Sequence, residues 1–361
     1  MDKTFPTSHG VIPLPAFLPD ATFGQVRGLD TQDLIASGVQ AVMMNSYHLM
    51  QKPGTTVVSA LGELHAFSGW QGPIFTDSGG FQAYSLIRQN SSFGSFSDDG
   101  ILLKDAASGK KTALTPEKSM QIQWKMGADV LFCLDDCTHV DDADNEQVLS
   151  VQRTVHWAKR CKQEFLHLLE NSKKDADHQR KLFAVVQGGG SHQYREACAK
   201  QLLEIGFDGY GYGGWPLDKD GNLVEDIVGY TRELIPAQFP MHALGIGHPY
   251  NLMKTFRLGY QLFDCAMPTR DARHGRLYRL RGEINPDQLN WLEYVYAQDE
   301  RHIRQKQPID PSCNCPTCQH YSLGYIRHLH QIGESLYTRL ATIHNLYFMA
   351  RVIRYLRGES A

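Results

Sequence analysis

The chain predicts an α/β fold of the (β/α)8 barrel type, on three observations. Short apolar runs alternate with amphipathic helices eight times over about 270 residues, the span a barrel of this kind needs. Asn45, Asp77, Asp135, Gln187, Gly213-Gly214, Gly247 and Asp264 fall at or near the C-terminal ends of those runs. Such ends converge on one mouth in a barrel, and so many in one register exceeds ordinary turn chemistry. None of the glycine clusters makes a G-x-G-x-x-G turn entering a helix, which sets aside a doubly wound open sheet.

The elements follow in order. Leu14 to Pro19 is the first strand, kept short by proline at both ends. A helix around Thr31 to Ser37 leads to the second strand, Gln40 to Asn45, and Pro73 to Asp77 is the third. A helix with Thr115-Pro116 at its start and Gly127 at its end precedes the fourth, Asp129 to Asp135. The long helix Glu146 to Leu169 and the charged loop Lys173 to Arg180 lead to the fifth, Leu182 to Gln187. After a helix from Ser191 to Gly206 come Gly209 to Tyr212, Ala243 to Gly247 and Leu262 to Met267. Beyond Pro268 the alternation stops. Residues Arg270 to Pro311 read as irregular and charged, followed by a cysteine cluster and helices at Leu323 to Ile332 and Ser335 to Arg357. The expected organisation is a barrel over 1–270 and an appended subdomain with a closing helix over 271–361.

With 361 residues, 42% of them hydrophobic and 21% charged, the chain reads as a globular enzyme rather than a disordered or fibrous one. No apolar run approaches the ~18 residues of a spanning helix. Met1 to Pro6 lacks the apolar core of a signal peptide, so a cytoplasmic protein is expected. The net charge of −3 draws nothing globally to nucleic acid, so such a partner needs a local patch. Arg270, Arg273, Arg276, Arg279 and Arg281, diluted by Asp271, supply one, unless they form a solvated loop.

Cys133, Cys137, Cys161, Cys198 and Cys265 lie in apolar or helical contexts and read as reduced, mostly buried thiols. Cys313, Cys315 and Cys318 crowd together, and His344 follows after 25 residues. Three thiolates and an imidazole make a closed tetrahedral set for one structural zinc ion per chain, Zn2+. On spacing alone His320, His328 or His330 is an alternative fourth ligand.

Asp264 stands inside an apolar run, which is costly unless the carboxylate is paired or used. Asp77-Ser78-Gly79-Gly80-Phe81 combines a carboxylate, glycines that admit close approach to the main chain, and an aromatic ring for stacking. Asp135 and Gln187 add an acceptor and an amide suited to a nucleobase edge, or else a polar layer capping the barrel.

At these residues the chain resembles tRNA-guanine transglycosylases of the bacterial type. The likeness rests on Thr76 to Gln82, Leu134-Asp135-Asp136-Cys137-Thr138, Val186-Gln187-Gly188, Tyr212-Gly213-Gly214, Phe263-Asp264-Cys265 and the three-cysteine, one-histidine set. It runs from about Gly10 to Arg354 in motif order and spacing. The resemblance implies a barrel with a zinc subdomain after strand eight. It implies exchange of the wobble guanine of tRNA for a 7-deazaguanine base, in queuosine biosynthesis. Asp264 would be the nucleophile at ribose C1′ and Asp77 the proton carrier for the leaving and entering bases. Phe81 would stack on the base and Asp135 and Gln187 would read its edge. Ser78, Gly79, Gly80, Gly213, Gly214, Trp215 and Leu244 would complete the pocket. Gly245, His248, Thr269, Arg270 and Arg273 would meet the RNA.

Three features depart from that pattern. The stretch before the first strand is short, so the small sheet under the barrel is expected to be reduced or missing. Residues Glu283 to Pro311 are longer than usual and carry Trp291, Tyr294 and Tyr296. Where relatives read Gly-Gly-Leu, small residues and a glutamate, this chain has Gly213-Gly214-Trp215-Pro216-Leu217-Asp218-Lys219. Proline offers no N–H there, which favours an amine-bearing base, 7-aminomethyl-7-deazaguanine or queuine, over a nitrile. Tyr321, Tyr325 and His328 form a stripe that either packs on the barrel or, as the resemblance implies and with Phe67 and Trp70, builds a homodimer interface. The alternatives to the enzyme are a non-catalytic tRNA-binding partner subunit, disfavoured by the presence of both aspartates, and a two-carboxylate sugar hydrolase.

Overall fold

The computed structural model describes residues 3–104, 109, 111–172 and 180–359, so most of the charged loop 173–180 lies outside the described residues. Eight parallel strands form the barrel: Ala16–Pro19, Val42–Met44, Ile74–Thr76, Val130–Phe132, Lys181–Val186, Gly209–Tyr212, Met241–Ala243 and Leu262–Cys265. The eighth pairs with the first (Asp264 opposite Leu18), and a parallel bridge between Asp20 and Met43 brings the first and second together.

The barrel interior is a core of its own, built from Ala16, Leu18, Met43, Phe75, Val130, Phe132, Phe183, Val185 and Leu262. These are residues that a strand's alternation turns inward. A hairpin, Thr4–Thr7 with Gly10–Pro13, plugs the bottom by inserting Phe5 and Ile12 into that core. Phe5 lies edge-on to Phe183, with centroids 5.7 Å apart. The sheet under the barrel is therefore reduced to two strands and is present.

Three expectations are corrected. The seventh strand ends at Ala243, and Leu244 to Gly247 is the turn beyond it. Residues 270–311 are irregular only in part: helix Met267–Arg273 is followed by an antiparallel hairpin, Arg276–Leu280 with Leu292–Tyr296. Trp291 is structural, since it is buried, packs edge-on to Tyr250 (4.9 Å) and stacks on Phe348, whereas Tyr296 is exposed. Finally, a three-stranded sheet, Gly94–Ser97, Gly100–Lys104 and Lys111–Leu114, interrupts the alternation after the third strand, where the sequence reading placed nothing.

The closing helix Ser335–Arg357 ties the appended part to the barrel. Arg357 donates to the carbonyls of Pro13 (2.8 Å) and Pro15 (2.9 Å) at the start of the first strand. Arg339 grips Asp33 through two bonds of 2.8 and 2.9 Å. Buried Asn345 donates to the carbonyls of Pro268 and Arg276 and accepts from the Tyr278 N–H, so the helix after the eighth strand hangs on it. Among the described residues no helix is long and apolar enough to cross a membrane.

Candidate active site at the barrel mouth

The third strand delivers Asp77 to the mouth. Its carboxyl accepts from Asn45 Nδ2 (2.6 Å), the Ser46 N–H (3.0 Å), Ser46 Oγ (3.3 Å) and Gln82 Nε2 (3.2 Å). Burial among protein atoms outweighs these bonds and pushes its pKa up to about 7, and the charges of Asp20 and Asp264 add to the rise. Asp20, at the end of the first strand, is likewise raised, by burial. The sequence reading missed it, although it stands in the same strand-end position as the other mouth residues.

Asp264 lies on the opposite wall, in the eighth strand. His242 Nε2 (2.9 Å) and the Gly245 N–H (3.2 Å) both approach its Oδ1. None of the described residues donates to Oδ2.

Asp135 and Gln187 form a second polar pair. Gln187 Nε2 donates to Asp135 Oδ2 (2.7 Å), and Ser78 Oγ lies 3.4 Å from Oδ1. Burial raises Asp135 to about 6, so it is mostly ionised at neutral pH. Buried Gln187 leaves its Oε1 without a partner, an acceptor that a bound ligand would satisfy. Two glycines are required by close approach: a Cβ at Gly80 would stand 2.8 Å from the Asp135 carbonyl, and one at Gly213 2.5 Å from Gln187 Nε2. Arg195, fully buried, donates to the Val186 and Gly189 carbonyls and braces the turn that carries Gln187.

The aromatic part of the mouth is a pair. Phe81 and Trp215, both about two-fifths exposed, stack with centroids 6.2 Å apart and planes 13° from parallel. The Trp215 N–H donates to the Thr138 carbonyl (3.2 Å), which fixes the Gly214–Trp215 peptide. Pro216 is buried, Lys219 is exposed, and Leu244 is half-buried beside Gly211.

The residues expected at the RNA are divided. Arg270 is exposed and Arg273 half-buried near Asp20 and Arg27. Thr269 is buried with its hydroxyl 3.1 Å from the Ala266 carbonyl, because it sits in the first turn of a packed helix. His248 is half-buried as the N-cap of helix Pro249–Arg257 and bonds the Tyr294 hydroxyl (2.9 Å). Gly245 is exposed, but its N–H is spent on Asp264. Arg276 pairs with Asp271 (2.6 Å) and Arg279 donates to the Ile309 carbonyl, so the five-arginine patch does not form one surface.

Cys313, Cys315, Cys318 and His344 come together, all buried. His344 Nδ1 lies 3.8, 3.6 and 3.3 Å from the three sulfurs in turn. Tetrahedral zinc with its usual bond lengths would place sulfur and nitrogen ~3.5 Å apart. Its Nε2 sits 2.6 Å from the Tyr278 carbonyl, the outer bond that orients a metal-binding imidazole. The group fits a metal ion, and His344 is the histidine that reaches the cysteines. A second cluster, His9, His65 and Asp129 at the barrel base, does not fit as well. Its two rings are stacked at 3.5 Å and 20°, so their in-plane lone pairs run side by side and cannot converge on one ion.

A carboxylate with one unengaged oxygen, facing a carboxyl that exchanges its proton near neutrality, is the equipment of enzymes that break a glycosidic bond. Comparison with known proteins narrows this class. The family model described as Queuine tRNA-ribosyltransferase matches residues 3–359. A queuine tRNA-ribosyltransferase of Actinobacillus pleuropneumoniae serotype 3 (strain JL03) is 36% identical over 352 residues, 98% of this chain and 86% of that protein. One from Saccharophagus degradans is 37% identical over 351 residues, covering 97% and 87%. One from Pseudoalteromonas atlantica is 36% identical over 355 residues, covering 98% and 89%. The chain belongs to the queuine tRNA-ribosyltransferase family and is a pentosyltransferase.

Proposed function

We propose that the protein is a tRNA-guanine transglycosylase of queuosine synthesis, exchanging the wobble guanine of tRNA for a 7-deazaguanine base. The observation that carries this reading is the pair Asp264 and Asp77, set in unlike environments on facing walls of one mouth. Asp264 attacks ribose C1′. The bond from carboxylate oxygen to carbon forms as the bond from C1′ to the base nitrogen breaks, and guanine leaves with the electron pair and a proton from Asp77. The entering base returns a proton to Asp77 and retakes C1′, and the ester bond's electrons go back to Asp264. The base must leave its loop stack to reach the mouth, where Phe81 stacks on it. Guanine and its deaza analogues carry an N–H and an amino group on one edge, which suit ionised Asp135 and the unpartnered Gln187 oxygen. Ser78, Gly79, Gly80, Gly213, Gly214, Trp215 and Leu244 line the pocket, and Arg270 and Arg273 hold the neighbouring RNA.

An acid near pH 7 sets the pH dependence. Base release needs Asp77 protonated, so single-turnover adduct formation should fall as pH rises through about 7. Asp77→Asn should be slower by roughly 10²–10⁴-fold and lack that inflection. An unchanged inflection would assign the proton to another group.

The Trp215–Pro216 peptide has no N–H to offer a nitrile, and the exposed Lys219 leaves the pocket open to a cation. An unmatched buried polar group costs about 1–3 kcal/mol, so kcat/KM should favour the aminomethyl base or queuine over the 7-cyano base by roughly 10- to 100-fold. Equal use of the nitrile would remove Pro216 from the choice.

The same reading takes 1–270 as the catalytic barrel and 271–361 as a subdomain held by zinc. It also takes the chain as a homodimer. Tyr321, just before helix Leu323–Gln331, stacks on Tyr325 (5.4 Å), and Tyr325 and His328 are exposed on that helix, which supports an outward docking stripe. Trp70 is buried and bonded to the Pro73 carbonyl, so it adds nothing to that surface. Sedimentation should give a dimer at micromolar concentration; an active monomer would contradict this.

A further inference from the structure

His242 touches the reaction centre from below and has no part in the scheme above. It stands mid-strand, between Met241 and Ala243, and is fully buried. Its ring meets Phe75 and Phe132 of the barrel interior at 6.0 and 5.5 Å, edge to face. Its Nδ1 has no hydrogen-bond partner. An imidazole in an aromatic layer, with one nitrogen unsatisfied, is a costly choice where Leu or Phe would pack. The one polar contact on its other nitrogen is Asp264 Oδ1, at 2.9 Å.

We propose that His242 is a positioning residue for the nucleophile: with the Gly245 N–H it holds Oδ1 of Asp264, so that Oδ2 is the attacking oxygen. The proposal rests on the reading of Asp264 as nucleophile. A carboxylate only accepts, so Nε2 carries the proton and donates. Two donors on one oxygen stop the carboxylate turning about its last bond. The other oxygen then points where no described residue engages it, which is what a near-attack geometry requires. In the first half-reaction Oδ2 bonds to C1′ and Oδ1 becomes the ester carbonyl, still accepting both donors. In the second, the bond from Oδ2 to C1′ breaks, its electrons return to the carboxylate, and the same donors meet the restored charge. One histidine thus serves both halves without gaining or losing a proton.

The test compares His242→Phe, which keeps a ring among Phe75 and Phe132 but no donor, with His242→Gln, which keeps a side-chain N–H. Guanine exchange into tRNA is followed, with KM for tRNA and for guanine measured separately. His242→Phe should lose roughly 10- to 100-fold in kcat with both KM values within about twofold, and His242→Gln should recover most of the rate. Wild-type kcat in His242→Phe, a loss confined to KM, or a His242→Gln variant as slow as His242→Phe overturns the proposal. If His242→Phe fails to fold, His242→Asn, too short to reach, replaces it in the comparison. Asp264→Asn run alongside separates the two claims. If it still forms adduct, the nucleophile is misassigned; if it forms none while His242→Phe is fast, only the role of His242 fails.

Discussion

Asp264→Asn is expected to bind tRNA as the wild type does and to form no adduct that survives denaturation. The asparagine has the same shape, and its carbonyl can still accept from His242 and Gly245, so the mouth keeps its structure. What disappears is the second oxygen. An amide nitrogen in its place is no nucleophile at a sugar carbon. Removing a covalent nucleophile costs several kcal/mol of barrier, and each ~1.4 kcal/mol is a factor of ten, so exchange should fall by at least roughly 10³-fold. Gel analysis after denaturation checks this. Adduct retained in Asp264→Asn and lost in Asp77→Asn would exchange the two roles.

Cys318→Ala or His344→Ala is expected to release zinc and to lower the unfolding temperature of the protein. The four ligands are buried, and the imidazole is held from behind by the Tyr278 carbonyl. Removing one leaves an incomplete ligand set in a dry site, and binding free energy at a structural zinc is folding free energy, of order 10 kcal/mol in small zinc domains. The damage should spread beyond the ligands. His344 shares its helix with Asn345, whose bonds support Pro268 and Arg276 just past the nucleophile strand. Metal analysis and thermal unfolding check this together. One zinc per chain in His344→Ala would mean that another group completes the site.

The barrel and its mouth were legible because strand ends carry chemistry at a fixed register. Asp77, Asp135, Gln187 and Asp264 each follow or close an apolar run, and the barrel brings them to one place. The three-cysteine, one-histidine set was legible from close cysteine spacing and from the resemblance, which named His344; spacing alone left nearer histidines open, and the fold brings His344 to the sulfurs. The seventh strand was placed too late, by two residues at its start and four at its end, because His242 breaks the apolar run, and that same histidine proves to touch Asp264. Asp20 escaped notice because the first strand reads as ending at Pro19, one residue before it. The hairpin of Arg276–Leu280 with Leu292–Tyr296 read as irregular because its arginines suggest solvent. Two of their partners, Ile309 and Glu293, are distant in sequence and could not be anticipated. The sheet at Gly94–Leu114 is half exposed and rich in serine, glycine and lysine, so it shows no clean alternation.

The central claim is that Asp264 becomes covalently joined to the ribose, and locating the adduct tests it most directly. The protein is incubated with tRNA and a base analogue that traps the intermediate, digested with nuclease and protease, and its peptides are weighed. The account predicts a mass increment of a base-free ribose phosphate on the peptide containing Leu262 to Met267, localised to Asp264; an increment on the Asp77 peptide, or intact exchange with no increment anywhere, would contradict it.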